Sequence, residues 1–120
     1  MSTIISTISG KGGVGKTFVC ANLGVVLAKA GFKTLLVDMD IKLANLEILL
    51  GMEGKEITLQ NVLNGEAKVD EAIYPGPAGV DFIPAGLSLE NVLVNIKTFD
   101  DIMSELIDRY EYILLDAPAG

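Results

Sequence analysis

Apolar positions along the chain fall into two patterns: short uninterrupted runs, and longer stretches in which apolar residues recur at helical spacing. The uninterrupted runs predict buried strands at 3–9, 33–38, 80–84 and 112–116. The stretch 16–30 has apolar residues on every side and predicts a helix that ends before Gly31. Another helix is predicted from Thr98, which forms a capping-box pattern with Asp101, to about Tyr110.

The remaining segments predict short helices and turns. One helix precedes Gly51, a second is capped by Thr58 and ends before Gly65, and a third is capped by Ser88. The run P-G-P-A-G at 75–79 breaks the chain before the third strand. The resulting order, β-α-β-α-β-α-β, predicts an α/β fold with an open parallel sheet flanked by helices, because strands that are apolar on both faces need cover on both sides.

Composition narrows the class of protein. The 120 residues are 50% hydrophobic and 21% charged, which is typical of one folded globular domain. A net charge of -7 argues against a nucleic-acid partner. With Cys20 as the single cysteine and no histidine, neither an intramolecular disulfide nor a zinc site is expected. The longest uncharged stretch, 17–28, is too short to span a bilayer, so a reduced, cytoplasmic protein is expected.

The glycine-rich stretch S-G-K-G-G-V-G-K-T satisfies two nucleotide-binding patterns. Gly10, Gly12 and Gly15 spell the dinucleotide fingerprint G-x-G-x-x-G. Gly10, Gly15, Lys16 and Thr17 spell the P-loop G-x-x-x-x-G-K-[ST]. A lysine in the first turn of a helix opposes the helix dipole unless an anion offsets it. Lys16 therefore favours the P-loop, in which the lysine reaches the β and γ phosphates and the threonine hydroxyl binds Mg²⁺.

Carboxylates follow two of the predicted strands. Asp38 and Asp40 end the second strand, and Asp116 ends the fourth, so all three belong to the carboxyl edge of the sheet, where ligands bind in open α/β folds. Asp38 also stands near the position of the ribose-binding acid of a dinucleotide fold. Each could instead be a solvated strand-end residue or a helix cap, but together they favour a Mg²⁺ site beside the P-loop.

Three segments resemble the MinD/ParA/Mrp group of ATPases along the whole chain. G-K-G-G-V-G-K-T resembles the deviant Walker A motif of that group, which is marked by the additional lysine, Lys11. D-M-D-I-K-L-A-N-L-E-I-L-L-G at 38–51 and D-A-P-A-G at 116–120 resemble its segments after the second strand and at switch II. Archaeal MinD-like proteins are resembled by two further segments, A-N-L-E at 44–47 and A-I-Y-P-G-P-A-G-V-D-F-I-P-A-G at 72–86. The resemblance implies a P-loop NTPase-type sheet that stops after the switch II strand.

The resemblance also implies ATP and Mg²⁺ as cofactors and a role for each matching position. The nucleotide-binding positions would be Gly10, Lys11, Gly12, Gly13, Val14, Gly15, Lys16, Thr17 and Phe18. Thr17 would bind Mg²⁺ directly, and Asp38 and Asp116 would hold it through water. Asp40 would orient or activate the attacking water. Lys11 would reach the phosphates of the nucleotide across a dimer, which makes Lys11, Lys16 and Asp40 the implied catalytic residues.

The implied function is an ATP-dependent dimerisation switch that hydrolyses ATP and regulates cell division or positions cellular machinery, with an unidentified protein activator. The chain departs from the family pattern at two points that affect this implied function. Phe18 stands where the group commonly has a second Thr or Ser, which removes a hydroxyl near the nucleotide. Family members also run on for about as many residues again, so 1–120 is expected to be the N-terminal part of the domain and weakly active alone. Location at the inner face of the membrane would need the C-terminal half.

Two other function classes remain open. P-loop ligases and kinases of small molecules, such as dethiobiotin synthetase, share the loop but are not expected to have Lys11 with the D-x-D and A-N-L segments. A nucleotide-binding module without turnover would share every feature of the sequence. Iron-sulfur cluster carriers with the same loop need cysteine ligands that Cys20 alone does not supply.

Overall fold

The computed structural model describes residues 3–7, 13–39, 50–51, 54–84 and 96–116. Its strands and helices, in chain order, are β1 (Thr3–Thr7), α1 (Gly13–Lys29), β2 (Thr34–Asp38), α2 (Leu59–Leu63), β3 (Tyr74–Pro75), β4 (Asp81–Ile83), α3 (Ile96–Ile107) and β5 (Tyr112–Asp116). Short 3₁₀ helices at Val69–Ala72 and Pro77–Gly79 flank β3. Among the described helices, none has the length and apolar character that crossing a membrane requires.

The strands form one sheet in the order β1-β5-β2-β4-β3. The first four of these run parallel, and β3 pairs antiparallel with β4. The parallel core with helices on its faces confirms the predicted α/β fold. Because β5 lies between β1 and β2, Asp116 at its carboxyl end is in register with both Thr7 of β1 and Asp38 of β2.

Both faces of the sheet are covered along β2, β4 and β5, which explains why those strands are apolar without interruption. The prediction that the first strand is buried was wrong: β1 is an edge strand, and its Ile4 is 43% exposed. On one face, the side chains buried with α1 are Cys20, Ala21, Leu36, Val80, Phe82 and Leu114. On the other face, the sheet contributes Leu35, Val37, Met39, Ile83 and Ile113, and the helices contribute Leu59, Val62, Ile102, Met103 and Leu106. Consecutive strand residues therefore alternate between two cores.

Helix α1 begins at Gly13, so its predicted start at Lys16 was three residues late. Glycine adopts the helical backbone without steric cost, and the helix extends back into the glycine run. Its C-terminal end agrees with the prediction: Gly31 has a φ of +95°, and the amide of Phe32 donates to the carbonyl of Leu27 at 3.1 Å. Within the described chain the helix buries one face only, since Val19 and Val26 are 58% and 61% exposed.

Helix α3 begins at Ile96, so Thr98 lies inside the helix and the predicted capping role was wrong. A local capping signal does not set the start of a helix when residues before it can still add backbone hydrogen bonds. The helix stops at Ile107 instead of continuing to about Tyr110. The Tyr110 hydroxyl donates to Asp81 Oδ2 of β4 at 2.6 Å, a tertiary contact made from the turn between α3 and β5.

The segment before β4 differs most from the prediction. Tyr74–Pro75 forms β3 at the edge of the sheet, where the sequence predicted only a chain break, and β4 is limited to Asp81–Ile83. The predicted α2 is confirmed: Thr58 precedes it with an extended backbone, and its amide donates to Asn61 Oδ1 at 2.9 Å. The predicted helices before Gly51 and after Ser88, and the last two residues of the predicted 3–9 strand, lie outside the described residues.

Candidate functional site

The carboxyl ends of β1, β5 and β2 form one edge of the sheet, and two of the predicted acids meet there. Asp116 and Asp38 end neighbouring parallel strands in direct register. Both are buried, with 1% and 0% of their surface exposed. The structure therefore excludes the interpretation of these two residues as solvated strand-end carboxylates.

The alternation of side chains along a strand determines the face of the sheet to which both aspartates belong. Leu36 and Leu114 pack into the core under α1, and each precedes its aspartate by two residues. Since side chains repeat faces every second residue, Asp38 and Asp116 belong to the same face as α1. The two acids thus share both an edge and a face of the sheet.

Helix α1 begins at this same edge. β1 ends at Thr7, residues 8–12 connect it to Gly13, and α1 returns along the sheet to the amino end of β2 at Thr34. The first four amide groups of any helix have no partner within the helix, and here they belong to Gly13, Val14, Gly15 and Lys16. A helix N-terminus with such amides attracts anions. The glycine-rich run thus joins the edge strand β1 to a helix that begins at the carboxyl edge of the sheet, which is the strand-loop-helix order of a P-loop.

Close packing between α1 and β2 brings the helix near the carboxylates. Gly24 faces Leu36, and a β-carbon at position 24 would lie 2.6 Å from Leu36 Cδ2. A side chain at position 24 would require Leu36 to move, so glycine permits the close approach. The sequence pattern was not used to single out Gly24, although a glycine inside a helix is itself a signal, since it costs about 1 kcal/mol relative to alanine.

A backbone hydrogen bond joins the two acidic segments. The amide of Met39 donates to the carbonyl of Asp116 at 2.9 Å, one residue beyond the end of β2. Met39 itself is only 5% exposed and belongs to the core on the opposite face. The sequence analysis also missed this residue; its apolar character between two aspartates was the available signal.

The pair of carboxylates suits a cation. Adjacent strands lie about 4.8 Å apart, so two carboxylates in register on one face of the sheet are close enough to act on the same ligand. Carboxylate oxygens suit Mg²⁺, which commonly takes one or two of them together with waters and substrate phosphates. Within the described ranges, no group of three acidic, histidine or cysteine side chains forms a metal site from protein ligands alone.

The other predicted site residues are described in part or not at all. Gly10, Lys11, Gly12 and Asp40 lie outside the described residues. For Gly13, Val14, Gly15, Lys16, Thr17 and Phe18 the structure describes the helical backbone and not the side chains. Their assigned roles stay predictions, as does the third carboxylate at Asp40.

The amino edge of the sheet carries a separate polar network. Tyr110 donates to Asp81, and Arg109 Nη1 pairs with Asp70 Oδ1 at 2.5 Å. Burial raises the pKa of Tyr110, and its hydrogen bond to Asp81 raises that pKa further. An open cleft of about 910 Å³ adjoins these residues. It lies at the end of the sheet opposite the aspartate pair and has no part in that site.

Comparison with known proteins identifies the family to which the chain belongs. A family profile described as an AAA domain matches residues 2–120. An uncharacterised ATP-binding protein of Methanocaldococcus jannaschii is 46% identical over 121 residues, which are 100% of this chain and 46% of that protein.

Solved structures of MinD proteins are also similar. The septum site-determining protein MinD of Pyrococcus horikoshii, complexed with Mg-ADP, superposes with a TM-score of 0.84 at 43% identity, covering 100% of this chain and 50% of that one. A chain of the MinC:MinD cell division protein complex of Aquifex aeolicus gives a TM-score of 0.79 at 38% identity, covering 99% and 48%. The chain thus spans about half the length of the relatives it matches. Since the family profile covers nearly every residue, the chain belongs to the AAA domain family of P-loop proteins, and its predicted resemblance to MinD ATPases is confirmed.

Proposed function

We propose that this chain is the N-terminal part of a MinD-like ATPase, a switch that binds ATP with Mg²⁺, dimerises, and returns to the monomer after hydrolysis. One observation carries the proposal: two buried aspartates lie in register on the face and at the edge of the sheet where α1 begins. That edge would combine a helix N-terminus for the phosphates with two carboxylates for the metal, as a magnesium-bound phosphate chain requires.

The phosphate half of the site would be built from the first turn of α1. The amides of Gly13, Val14, Gly15 and Lys16 are the four that a helix leaves without internal partners, and they would donate to phosphate oxygens. The Lys16 ammonium would bind the β and γ phosphates, and its charge would offset theirs. Phe18 lacks the hydroxyl that the group commonly has there, so its contribution would be limited to its backbone.

The metal half would be held by the aspartate pair and Thr17. Asp38 and Asp116 fit Mg²⁺ because both are buried acids in register at this edge of the sheet, and Thr17 would add its hydroxyl. When bound, Mg²⁺ would offset the charge on the phosphate oxygens during transfer. The carboxylates would bind it through water, orient those waters by hydrogen bonds and keep the metal beside the first turn of α1.

Hydrolysis would need two further residues. In the reaction, the oxygen of a water attacks the γ phosphorus, the bond from that phosphorus to the ADP oxygen breaks, one proton of the water passes to solvent, and ADP and inorganic phosphate leave. Asp40 would orient the water and Lys16 would stabilise charge on the phosphate oxygens. Lys11 would reach the γ phosphate of a second copy, so the full rate would depend on dimerisation. The resemblance to the MinD group supports these roles.

The biological setting is also a proposal. One relative was solved in a MinC:MinD complex, and another is named for septum-site determination. By analogy, we propose a cytoplasmic switch for cell division that a partner protein activates, with any membrane association supplied by the part of such proteins that this chain does not span. The net charge of -7 gives no support for a nucleic-acid partner.

Calorimetry on the 120-residue chain tests the proposal, using MgADP and MgATPγS and measuring molar mass with each nucleotide. Wild type is expected to bind both nucleotides and to dimerise with the triphosphate only. Lys16→Ala should abolish binding, whereas Lys29→Ala, at the other end of α1, is the matched control and should bind normally. Lys11→Ala should bind and remain monomeric. A folded wild-type chain that binds neither nucleotide would refute the proposal.

The alternative classes make different predictions in the same experiment. A small-molecule ligase or kinase would bind the nucleotide without dimerising, and Lys11→Ala would leave its molar mass unchanged. A binding module without turnover would bind and dimerise, yet release no phosphate even as part of the full-length protein. The isolated chain is expected to be a weak ATPase, and turnover equal to that of a full-length family member would contradict this expectation.

A further inference from the structure

Met39 is held from two sides at the point where β2 ends. Its side chain lies in the core on the face covered by α2 and α3, where it is 5% exposed. Its amide donates to the carbonyl of Asp116 at 2.9 Å. Its chain neighbours are Asp38, on the opposite face, and Asp40, the next residue along.

These two contacts hold the end of β2 against two different parts of the structure. The core contact holds residue 39 against the sheet, and the hydrogen bond holds it against β5. A shift of Asp38 along or away from Asp116 would strain one of these contacts, because Asp38 and Met39 are joined by a peptide bond. Asp38, Met39 and Asp116 are therefore linked to one another at the carboxyl edge.

We propose that Met39 is a positioning residue that sets Asp38 relative to Asp116. The inference rests on the proposed function, since the aspartates are the proposed metal site. It assigns Met39 no contact with nucleotide or metal. Its effect is confined to the metal half of the site, because the phosphate half is built on α1, which belongs to the other core.

Met103 provides a matched control. It is also a buried methionine, 7% exposed, in the same core cluster, and it lies on α3, which contributes no proposed site residue. Met39→Ala and Met103→Ala delete the same atoms from the same core. An effect of general destabilisation would appear in both variants, whereas a positioning effect would appear in Met39→Ala alone. Met39→Val is the milder substitution if Met39→Ala does not fold, and Met39→Leu should restore the wild-type behaviour.

The first measurement is amide hydrogen exchange and chemical shift by NMR on the 120-residue chain without nucleotide. In Met39→Ala the amide of residue 39 is expected to exchange about tenfold faster than in Met103→Ala, and the amide shifts of Asp38 and Asp116 to move further. Equal exchange and equal shifts in the two variants would overturn the proposal. This result is independent of whether the chain binds nucleotide.

The second measurement is ADP affinity with and without Mg²⁺. In Met39→Ala the gain in affinity due to Mg²⁺ is expected to fall by about tenfold, the size typical when support of a metal ligand is lost, while metal-free ADP affinity stays unchanged. Met103→Ala and Met39→Leu should keep the full gain. A loss of metal-free affinity in Met39→Ala, or an equal loss of the Mg²⁺ gain in Met103→Ala, would overturn the positioning role. Absence of nucleotide binding in wild type would refute the proposed function instead, and the exchange experiment would then decide on Met39 alone.

Discussion

Substitution of Gly24 by alanine is expected to destabilise the chain through a single contact with Leu36. A methyl group at position 24 would lie 2.6 Å from Leu36 Cδ2, 3.0 Å from Cγ and 3.1 Å from Cδ1. Leu36 of β2 is fully buried under α1, so its side chain can move only against other core side chains. Either α1 moves away from β2 or Leu36 leaves its preferred rotamer.

The magnitude follows from two opposing effects. Alanine is favoured over glycine inside a helix by about 1 kcal/mol. Overpacking a buried site costs about 1 to 3 kcal/mol. The free energy of unfolding of Gly24→Ala is therefore expected to fall by up to about 2 kcal/mol, although the same substitution at an exposed helical position would raise it.

A double-mutant cycle isolates the contact. Leu36→Ala alone should cost about 2 to 5 kcal/mol because it leaves a cavity. In the double variant the alanine at 24 no longer meets Leu36 and fills part of that cavity, so the two losses should be less than additive by about 1 to 2 kcal/mol. Urea unfolding followed by circular dichroism measures all four proteins.

Asn22→Ala is the control, because Asn22 lies on the exposed side of the same helix. Its effect should add to that of Leu36→Ala. The reasoning would be refuted if the coupling of positions 24 and 36 were under about 0.5 kcal/mol, which is the scatter seen for independent sites. It would also be refuted if Gly24→Ala stabilised the chain by the full helix-propensity gain.

Three further predictions concern the two edges of the sheet. MgADP should raise the melting temperature of wild type much more than that of Asp116→Asn. Asp108→Asn is the control, because Asp108 lies in the exposed turn after α3, and its melting temperature should rise as that of wild type does. Equal shifts in all three proteins would contradict the metal role of Asp116. Tyr110→Phe should lose about 1 kcal/mol at neutral pH with the hydrogen bond to Asp81. Because the pKa of Tyr110 is raised in the folded chain, the Tyr110 hydroxyl of the unfolded chain loses its proton at a lower pH. Wild type should therefore lose stability as the pH rises above about 10, and the Phe variant should lose less. Parallel pH profiles of the two proteins in urea unfolding would disprove this. Arg109→Gln should change stability by less than about 1 kcal/mol despite the ion pair with Asp70, since the two side chains are 41% and 67% exposed; a larger loss would show that the pair is structurally important.

The sequence predicted those parts of the fold that local pattern determines. The strands ending at Asp38 and Asp116 are uninterrupted apolar runs, and the ends of α1 and α2 at Gly31 and Gly65 follow from glycine, which readily adopts a positive φ. The acids at the carboxyl ends of the strands were predicted to share an edge, and two of them do.

Tertiary contacts determined what the sequence did not predict. Nothing in the pattern places β5 between β1 and β2, although that order brings Asp116 beside Asp38. β3 consists of Tyr74 and Pro75, and a proline in a two-residue run indicates a break as readily as an edge strand. Tyr110, just beyond the end of α3, donates to Asp81 of β4, a contact between residues far apart in sequence.

The central claim is that a magnesium-bound nucleotide occupies the carboxyl edge between α1 and the aspartate pair, and paramagnetic NMR tests it most directly. Mn²⁺ with ADP would replace Mg²⁺ with ADP, and amide signals near the metal would broaden steeply with proximity. The account predicts that the amides of Asp38, Met39 and Asp116 broaden beyond detection while those of Asp81 and Glu111 at the amino edge persist. Broadening centred on the amino edge, or uniform broadening of both edges, would contradict it.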